Sequence, residues 1–199
     1  YNTLSSLCGV SFVFLNFCNK ENVLKAGIVK PEDAHLILDS IELDITASTL
    51  EKPEVMILDM LAQLDWSRPV YFVQPNLLKK LGITDYLQYD GYAYRLVPIK
   101  TPVESVATMG RIDTDYLYNN IMNVYRYGNV KDESVYIDNF SRYNINSTQI
   151  RGGFARLAEA LVAEGDKERA VEVLDRGVEE LPFSQVPHGY QSFPYIDAY

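Results

Sequence analysis

Residues 151–182, RGGFARLAEALVAEGDKERAVEVLDRGVEELP, decide the fold expected for the second half of the chain. They follow the pattern of a tetratricopeptide repeat, in which two short helices pack through fixed bulky and small positions. Gly165 breaks the first helix, and Asp166 is placed to cap the second. An ordinary helical hairpin is the alternative interpretation. The residues at the packing positions of the repeat are Phe154, Leu157, Ala158, Leu161, Ala170, Leu174 and Pro182.

A repeat of this kind stacks on its neighbours and commonly offers a surface to a partner protein, because a single unit cannot bury its apolar face alone. One full repeat is visible in the sequence, and Tyr195 and Ile196 are placed to begin a further helix. The sequence starts at Tyr1 and stops at Tyr199 within that pattern. We therefore expect it to be a piece of a longer protein.

The composition is that of a globular chain and argues against several classes of function. Hydrophobic residues make up 47% of the 199 residues, which is enough to form a core. The net charge of −9 and the lack of basic clusters argue against binding to nucleic acid or to anionic lipid. The apolar stretch at residues 7–15 is too short to span a bilayer, which needs about 20 residues, so we predict no membrane insertion by this chain. That stretch is expected to be a buried strand or the edge of a larger domain.

Cysteine and histidine provide no evidence for a metal site. Cys8 and Cys18 either pair or remain buried thiols, and the sequence leaves both possibilities open. His35 and His188 lie far apart, and no CxxC motif is present. We predict no metal and no cofactor.

The first half of the chain predicts a small sheet mixed with short helices. Because strands and helices alternate there, right-handed crossovers are expected between the strands. The chain as a whole is predicted to be α+β, with a small α/β domain over residues 1–105 and an α-helical region over residues 106–199. The strands are expected at residues 41–46, 70–73 and 92–99, the second of them buried, and the helices at residues 31–40, 50–64 and 76–81.

The helical region is expected to begin near two aspartates. Asp113 and Asp115 form a carboxylate pair that acid–base chemistry could use, but capping of a helix explains them more simply. That helix is expected to end at Gly128, and residues 129–147 are expected to form a loop with at most a short turn. Asn146 opens an N-glycosylation pattern, Asn-Ser-Thr, which is short enough to recur by chance.

Two places in the sequence are candidates for ligand binding. Arg68 enters the strongest predicted strand and can hold a phosphate or carboxylate, or instead pair with an acid such as Asp65 or stack on an aromatic ring. A second group mixes aromatic rings and charges as sugar-binding surfaces do, although strand aromatics commonly pack in the core or across strands. This second group consists of Asp90, Tyr92, Tyr94 and Arg95.

Five segments together resemble one known family. These are NVLKAGIVKPEDA at residues 22–34, WSRPVYF at 66–72, LQYDGYAYRLVPIK at 87–100, GRIDTDYLYNNIMNVYRYGN at 110–129 and FARLAEALVAEG at 154–165. They are similar to the large multi-pass membrane proteins of Bacteroidetes that resemble protein O-mannosyltransferases using lipid-linked sugars. The resemblance runs from about residue 22 to residue 199 and keeps the order of the segments.

The resemblance implies that the chain is part of a soluble C-terminal region on the periplasmic face of the inner membrane. The acidic catalytic residues of that family lie in its membrane half, so no catalytic residue carries over to this chain. The expected function is a non-catalytic domain that contacts the membrane half of the parent and binds an acceptor protein or subunit, with the parent a candidate glycosyltransferase. The alternative is a soluble enzyme domain that binds or processes sugars.

Overall fold

A computed structural model of the chain describes residues 12–15, 18–103, 108–146 and 150–199. Helix makes up 51% of it and strand 7%, which confirms the predicted α+β class. The chain divides into two compact units. The first comprises residues up to Gln88 together with Tyr94–Arg111, and the second comprises Tyr89–Ala93 and Ile112–Tyr199. The predicted domain boundary near residue 105 stays a prediction.

The elements of the first half of the chain are short. The connections among them include 3₁₀ helices at Pro31–Leu36, Pro75–Leu81 and Ile83–Tyr86. Pro31 and Pro75 begin the first two, where proline suits the first turn. The strands are β1 at Phe12–Leu15, β2 at Ile41–Asp44, β3 at Tyr71–Phe72, β4 at Leu87–Tyr89 and β5 at Tyr94–Leu96, and the helices are α1 at Lys20–Lys25 and α2 at Lys52–Ala62.

The described strands form two small sheets, one pairing β1 with β2 and the other with the order β3-β5-β4. The pairs β1–β2 and β3–β5 are antiparallel, so the predicted right-handed crossovers were wrong. Part of the error lies in residues 87–96, where the sequence predicted a strand only from residue 92, continuing to residue 99. A turn at Gly91 divides this stretch into β4 and β5, with Asp90 N–H donating to the carbonyl of Ala93.

Burial follows the strand alternation in β2 but not in β3. Ile41 and Leu43 are fully buried, whereas Glu42 and Asp44, which alternate with them, are exposed. The prediction of a buried strand at residues 70–73 was wrong for Tyr71 and Val73, which are exposed. The physical reason is that β3 is an edge strand of two residues, not the central strand that its apolar sequence suggested.

Cys18 is a buried thiol in the first unit. Burial raises its pKa to about 11, and the negative charge of Asp39 adds to the shift. Cys8 and residues 7–11 lie outside the described residues, so the possible pairing of the two cysteines stays open.

The second unit is mostly helical. Asp113 caps α3 by accepting from the backbone N–H of Tyr116, as predicted. A π-helical turn at Asn120–Val124 continues α3. A helix also occupies residues predicted as loop, because Asp138 caps it by accepting from the N–H groups of two following residues. The helices are α3 at Thr114–Asn119, α4 at Asn139–Ile145, α5 at Arg151–Glu164, α6 at Lys167–Glu180 and α7 at Phe193–Ala198.

The hairpin of α5 and α6 is present where residues 151–182 predict it. Gly165 ends α5 with a left-handed φ of 89°, and Asp166 caps α6 by accepting from the N–H of Arg169. Both helices and α7 share one core, in which Gly177 allows the ring of Tyr195 to lie against α6. Six of the predicted packing residues are buried, namely Phe154, Leu157, Ala158, Leu161, Ala170 and Leu174, while Pro182 is half-buried.

Candidate functional site

The predicted ligand residues lie in both units of the chain. Arg68 is exposed in the first unit, where it lines a cleft. Tyr94 and Arg95 are buried in β5, and the Arg95 guanidinium donates to the carbonyl of Gly27 at 2.9 Å. Asp90 is buried in the second unit, whereas Tyr92 is partly exposed. Ligand binding by these five residues stays a prediction.

Tyr92 belongs to a cluster of tyrosines inside the second unit. Its ring lies 4.6 Å from that of Tyr125, whose hydroxyl donates to the carbonyl of Asp90. A methyl group at Gly91 would lie 2.6 Å from the Tyr125 ring, so only glycine permits this approach. Burial raises the pKa of Tyr125 to about 12 and also raises the pKa of Tyr127. These hydroxyls therefore stay protonated at neutral pH.

The tyrosine cluster encloses very little space. The void between its rings and Phe154 measures about 10 Å³, the room of about one water molecule. On the other side, the guanidinium of Arg156 lies 4.2 Å from the centre of the Tyr89 ring. The cluster is therefore packed as core, and a ligand at Tyr92 would have to lie on its outer face.

A buried arginine joins the segments of the second unit that carry its exposed aromatic residues. Arg151 is 1% exposed, and its guanidinium donates to the carbonyls of Leu181 at 2.7 Å and Val186 at 3.0 Å and to Oδ1 of Asn146. It also lies 3.2 Å from Nδ1 of His188. These partners are all neutral, and burial lowers the pKa of Arg151. The side chain thus fixes the segment after α6 against the start of α5.

Asn146 extends this network to α4. Its Oδ1 also accepts from the hydroxyl of Ser192, and its amide donates to the carbonyl of Pro187 at 2.9 Å. Arg142 donates to the carbonyl of Gln185 at 3.0 Å. Asn146 is buried and bonded through both ends of its amide, so it is not available as a glycosylation acceptor in this fold. Residues 147–149 of that pattern lie outside the described residues.

Two segments that this network joins carry exposed aromatic rings, which we call the aromatic surface. Tyr190 is 81% exposed and Phe140 is 76% exposed. No formally charged side chain occurs between residues 181 and 196, although 23% of the chain is charged. Exposed apolar groups at this density typically mark an interaction site. The aromatic surface consists of Tyr136, Phe140 and Tyr143 on and before α4, and Phe183, Tyr190 and Phe193 after α6.

Sequence reasoning missed Arg151 and Asn146. The signal for Arg151 was present, because it lies three residues before Phe154 on the apolar stripe that continues through Ala158 and Leu161. A charged residue on an otherwise apolar helical face indicates a buried, hydrogen-bonded role. Nothing in the sequence indicated which oxygen atoms would accept hydrogen bonds from Arg151.

The two aspartates considered for acid–base chemistry have structural partners. Asp113 caps α3, and Asp115 accepts from Arg169 at 2.8 Å. Arg169 also bonds Asp166 and lies over the ring of Tyr118, which joins α3 to α6. No group of histidine, cysteine, aspartate or glutamate that could hold a metal ion is found in the described ranges. No helix in those ranges is long and apolar enough to cross a membrane.

The chain is an α+β domain whose second unit is mostly helical and carries the aromatic surface. The chain belongs to the family described as TMEM260-associated domain 2, whose model matches residues 11–116, just over half of the 199 residues. TMEM260 is a membrane protein of the O-mannosyltransferase-like type, in agreement with the resemblance inferred from the sequence. No curated protein and no solved structure matches the chain. A Bacteroidetes origin and the tetratricopeptide assignment stay predictions.

Proposed function

We propose that the chain is a non-catalytic, extracytoplasmic domain of a membrane glycosyltransferase-like protein, and that its helical unit binds a partner protein. The family assignment supports the association with such a membrane protein. The partner would be an acceptor protein or a further subunit, and the first unit would contact the membrane half of the parent. A periplasmic location is part of the same proposal.

The observation that carries the binding role is the aromatic surface. Tyrosine and phenylalanine supply much of the binding energy at protein interfaces, and charged residues are depleted at the centre of such interfaces. The charge-free residues 181–196 have this composition. The two backbone segments that carry the rings are also held together before binding, because Arg151 and Asn146 bond to carbonyls after α6 and to each other. A fixed surface loses less conformational entropy when a partner binds.

Two further observations support a non-catalytic role. Asp113 and Asp115, the carboxylates that most resembled an acid–base pair, cap a helix and form an ion pair. Tyr94 and Arg95 of the alternative sugar site are buried, with Arg95 bonded to a backbone carbonyl. That alternative would still be favoured by sugar binding that is lost in Tyr92→Ala, measured by titration of the isolated chain.

Site-specific photo-crosslinking in the parent protein tests the proposal. A photoreactive phenylalanine analogue would replace Tyr190 or Phe140 in cells, and the crosslinked peptides would be identified by mass spectrometry. We expect crosslinks from both positions to one partner polypeptide, which is either the glycosylated acceptor or a separate subunit.

The matched control places the same analogue at Val171, which is exposed on α6 outside the aromatic surface. It should give few crosslinks to that partner. Equal yields from Val171 and Tyr190 would argue against a specific surface. Crosslinks from Tyr190 only to the parent's own membrane half would mean that the aromatic surface binds that half and not an acceptor protein or separate subunit.

A further inference from the structure

The first unit carries a cleft at the C-terminal end of α2. Its volume is about 430 Å³, which lies in the range of small-molecule sites. The end of α2 forms one wall, and the chain that leads into β3 forms the other. The lining residues are Met60, Gln63, Leu64, Asp65, Arg68, Pro69 and Val70.

A strained turn shapes this cleft. Trp66 has a φ of +63°, a conformation that is a genuine outlier for a bulky residue. The turn is held because the indole is 3% exposed and because Oδ1 of Asp65 accepts from both the N–H and the hydroxyl of Ser67. Asn22 donates to the carbonyl of Asp65 at 2.8 Å. Backbone strain that the surrounding structure maintains is concentrated at functional sites.

The cleft contains donors and acceptors that the described part of the chain does not use. The guanidinium of Arg68 makes no hydrogen bond or ion pair with any described residue. Oδ2 of Asp65 and Oε1 of Gln63 likewise accept no hydrogen bond within the described ranges. The bonds from Ser67 and the charge of Arg68 lower the pKa of Asp65, so its carboxylate is ionised at neutral pH. One cation and one anion therefore line the same cleft.

The other lining residues are apolar. Met60 is 48% exposed, and Leu64 and Val70 are half-buried, so hydrophobic area is open to a ligand. The backbone of Val70 is fixed, because its carbonyl accepts from the N–H of Leu96. A purely anionic ligand would be repelled by Asp65, and a purely cationic ligand by Arg68. The complementary ligand has an anionic group, a neighbouring N–H donor and an apolar body.

We propose that this cleft binds the carboxylate end of an apolar amino acid, either free or as the last residue of a peptide. The Arg68 guanidinium matches a carboxylate in charge and in planar geometry. Asp65 Oδ2 and Gln63 Oε1 accept from the α-nitrogen of the ligand, and its aliphatic side chain packs on Met60 and Leu64. This site is independent of the aromatic surface in the second unit.

The test is a titration of the whole chain, labelled with ¹⁵N, with four probes of the same aliphatic shape. They are leucine, N-acetyl-leucine, leucinamide without a carboxylate, and 4-methylpentanoate without a nitrogen. We expect leucine or N-acetyl-leucine to shift the backbone amide signals of Gln63, Leu64 and Arg68. The other two probes should bind about tenfold or more weakly, because each lacks one charged or polar contact. Tighter binding of leucine indicates the free amino acid, and tighter binding of N-acetyl-leucine indicates a peptide C-terminus.

Two variants locate the binding. Arg68→Gln should weaken binding of the preferred probe by about tenfold or more, because a charge-assisted bond is lost. Met60→Glu should also weaken it, since a charged carboxylate would replace the apolar surface on which the aliphatic side chain of the ligand packs. Arg126→Gln, an exposed arginine of the second unit, is the matched control and should leave binding unchanged. The proposal is overturned if no probe shifts these signals at concentrations up to about 20 mM, which exceeds the dissociation constants of weak specific complexes. It is also overturned if Arg68→Gln leaves the binding of the preferred probe unchanged.

Discussion

The two units differ in what holds them together. In the second unit, α5 and α6 each run for 14 residues and bury a continuous apolar face. In the first unit, no described strand exceeds four residues. There, single side chains join distant segments, as Tyr86 does when its hydroxyl bonds both the N–H and the carbonyl of Glu42. The hydrogen bonds of a regular helix join residues that are close in sequence, whereas the first unit depends on contacts between residues far apart in sequence.

The largest predicted loss of stability is an exception to this contrast, because it comes from removing hydrogen bonds between distant segments of the second unit. Arg151→Met keeps most of the side-chain volume but leaves the carbonyls of Leu181 and Val186 without their side-chain donor, and Oδ1 of Asn146 keeps only the bond from Ser192. We expect the free energy of unfolding to fall by about 4 kcal/mol, since each buried acceptor left unpaired costs about 1–3 kcal/mol. Urea unfolding followed by circular dichroism at 222 nm measures the change.

Arg126→Met provides the comparison for that measurement. Arg126 is exposed and makes one long bond to the carbonyl of Asn123, so its replacement should change stability by less than about 0.5 kcal/mol. Similar stabilities for the two variants would mean that the helices alone hold the second unit and that the buried arginine is dispensable.

The next largest loss of stability is predicted for the replacement of a glycine in the first unit. A methyl group at Gly82, which has a φ of +69°, would lie 2.6 Å from the backbone nitrogen of Asp44 in β2. Because backbone atoms cannot yield as a flexible side chain can, we expect Gly82→Ala to cost about 3 kcal/mol. Trp66 is the single tryptophan of the chain and is buried in this unit. Its fluorescence during urea unfolding therefore reports the loss.

Gly27 allows the two causes of that loss to be separated. Its φ of +65° is nearly the same, but no atom would lie within 4 Å of an added methyl group. Gly27→Ala should therefore cost about 1 kcal/mol, the penalty of the left-handed backbone alone. If both variants lose the same stability, the contact with β2 contributes nothing.

The contrast between the units also explains which parts of the fold the sequence predicted. The hairpin of α5 and α6 was predictable because the helical period, Gly165 and Asp166 are local signals. The pairing of β3 with β5 was not, because two strands of two and three residues contain too little pattern to show which strand is central. The short helix α4 was missed because its side chains are aromatic and polar, and the cap at Asp138 was its one clear signal.

The candidate sites were predictable to a smaller degree. Arg68 was singled out by its place before a strand, and it does line a cleft. The other residues that line this cleft were not predictable, because the left-handed turn at Trp66 brings them together. Tryptophan rarely adopts that backbone conformation. In the sequence, the aromatic surface is visible only as closely spaced aromatic residues, such as Tyr136, Phe140 and Tyr143. Which of these rings are exposed could not be predicted, because their exposure depends on the fold.

A smaller effect compares the same chemical change in both units. Tyr86→Phe removes two bonds to the backbone of Glu42, whereas Tyr195→Phe removes one bond, to the carbonyl of Leu174. We expect losses of about 2 and about 1 kcal/mol respectively, at about 1 kcal/mol for each bond. Urea unfolding of the two variants, with fluorescence for the first and circular dichroism for the second, tests the ranking. The reverse ranking would show that the packed helices depend on side-chain bonds more than the first unit does.

The smallest expected effect is a dependence of stability on pH through His188. Partial desolvation and the nearby charge of Arg151 lower the pKa of His188 below its usual 6.5, although the residue is exposed. As pH falls through 6.5, the unfolded chain takes up this proton before the folded chain does, so the stability that neutral His188 contributes above pH 6.5 is progressively lost. His188→Gln should remove this part of the dependence between pH 7.5 and 5.5, as measured by urea unfolding. An unchanged slope in that variant would mean that the pKa of His188 does not differ between the folded and the unfolded chain.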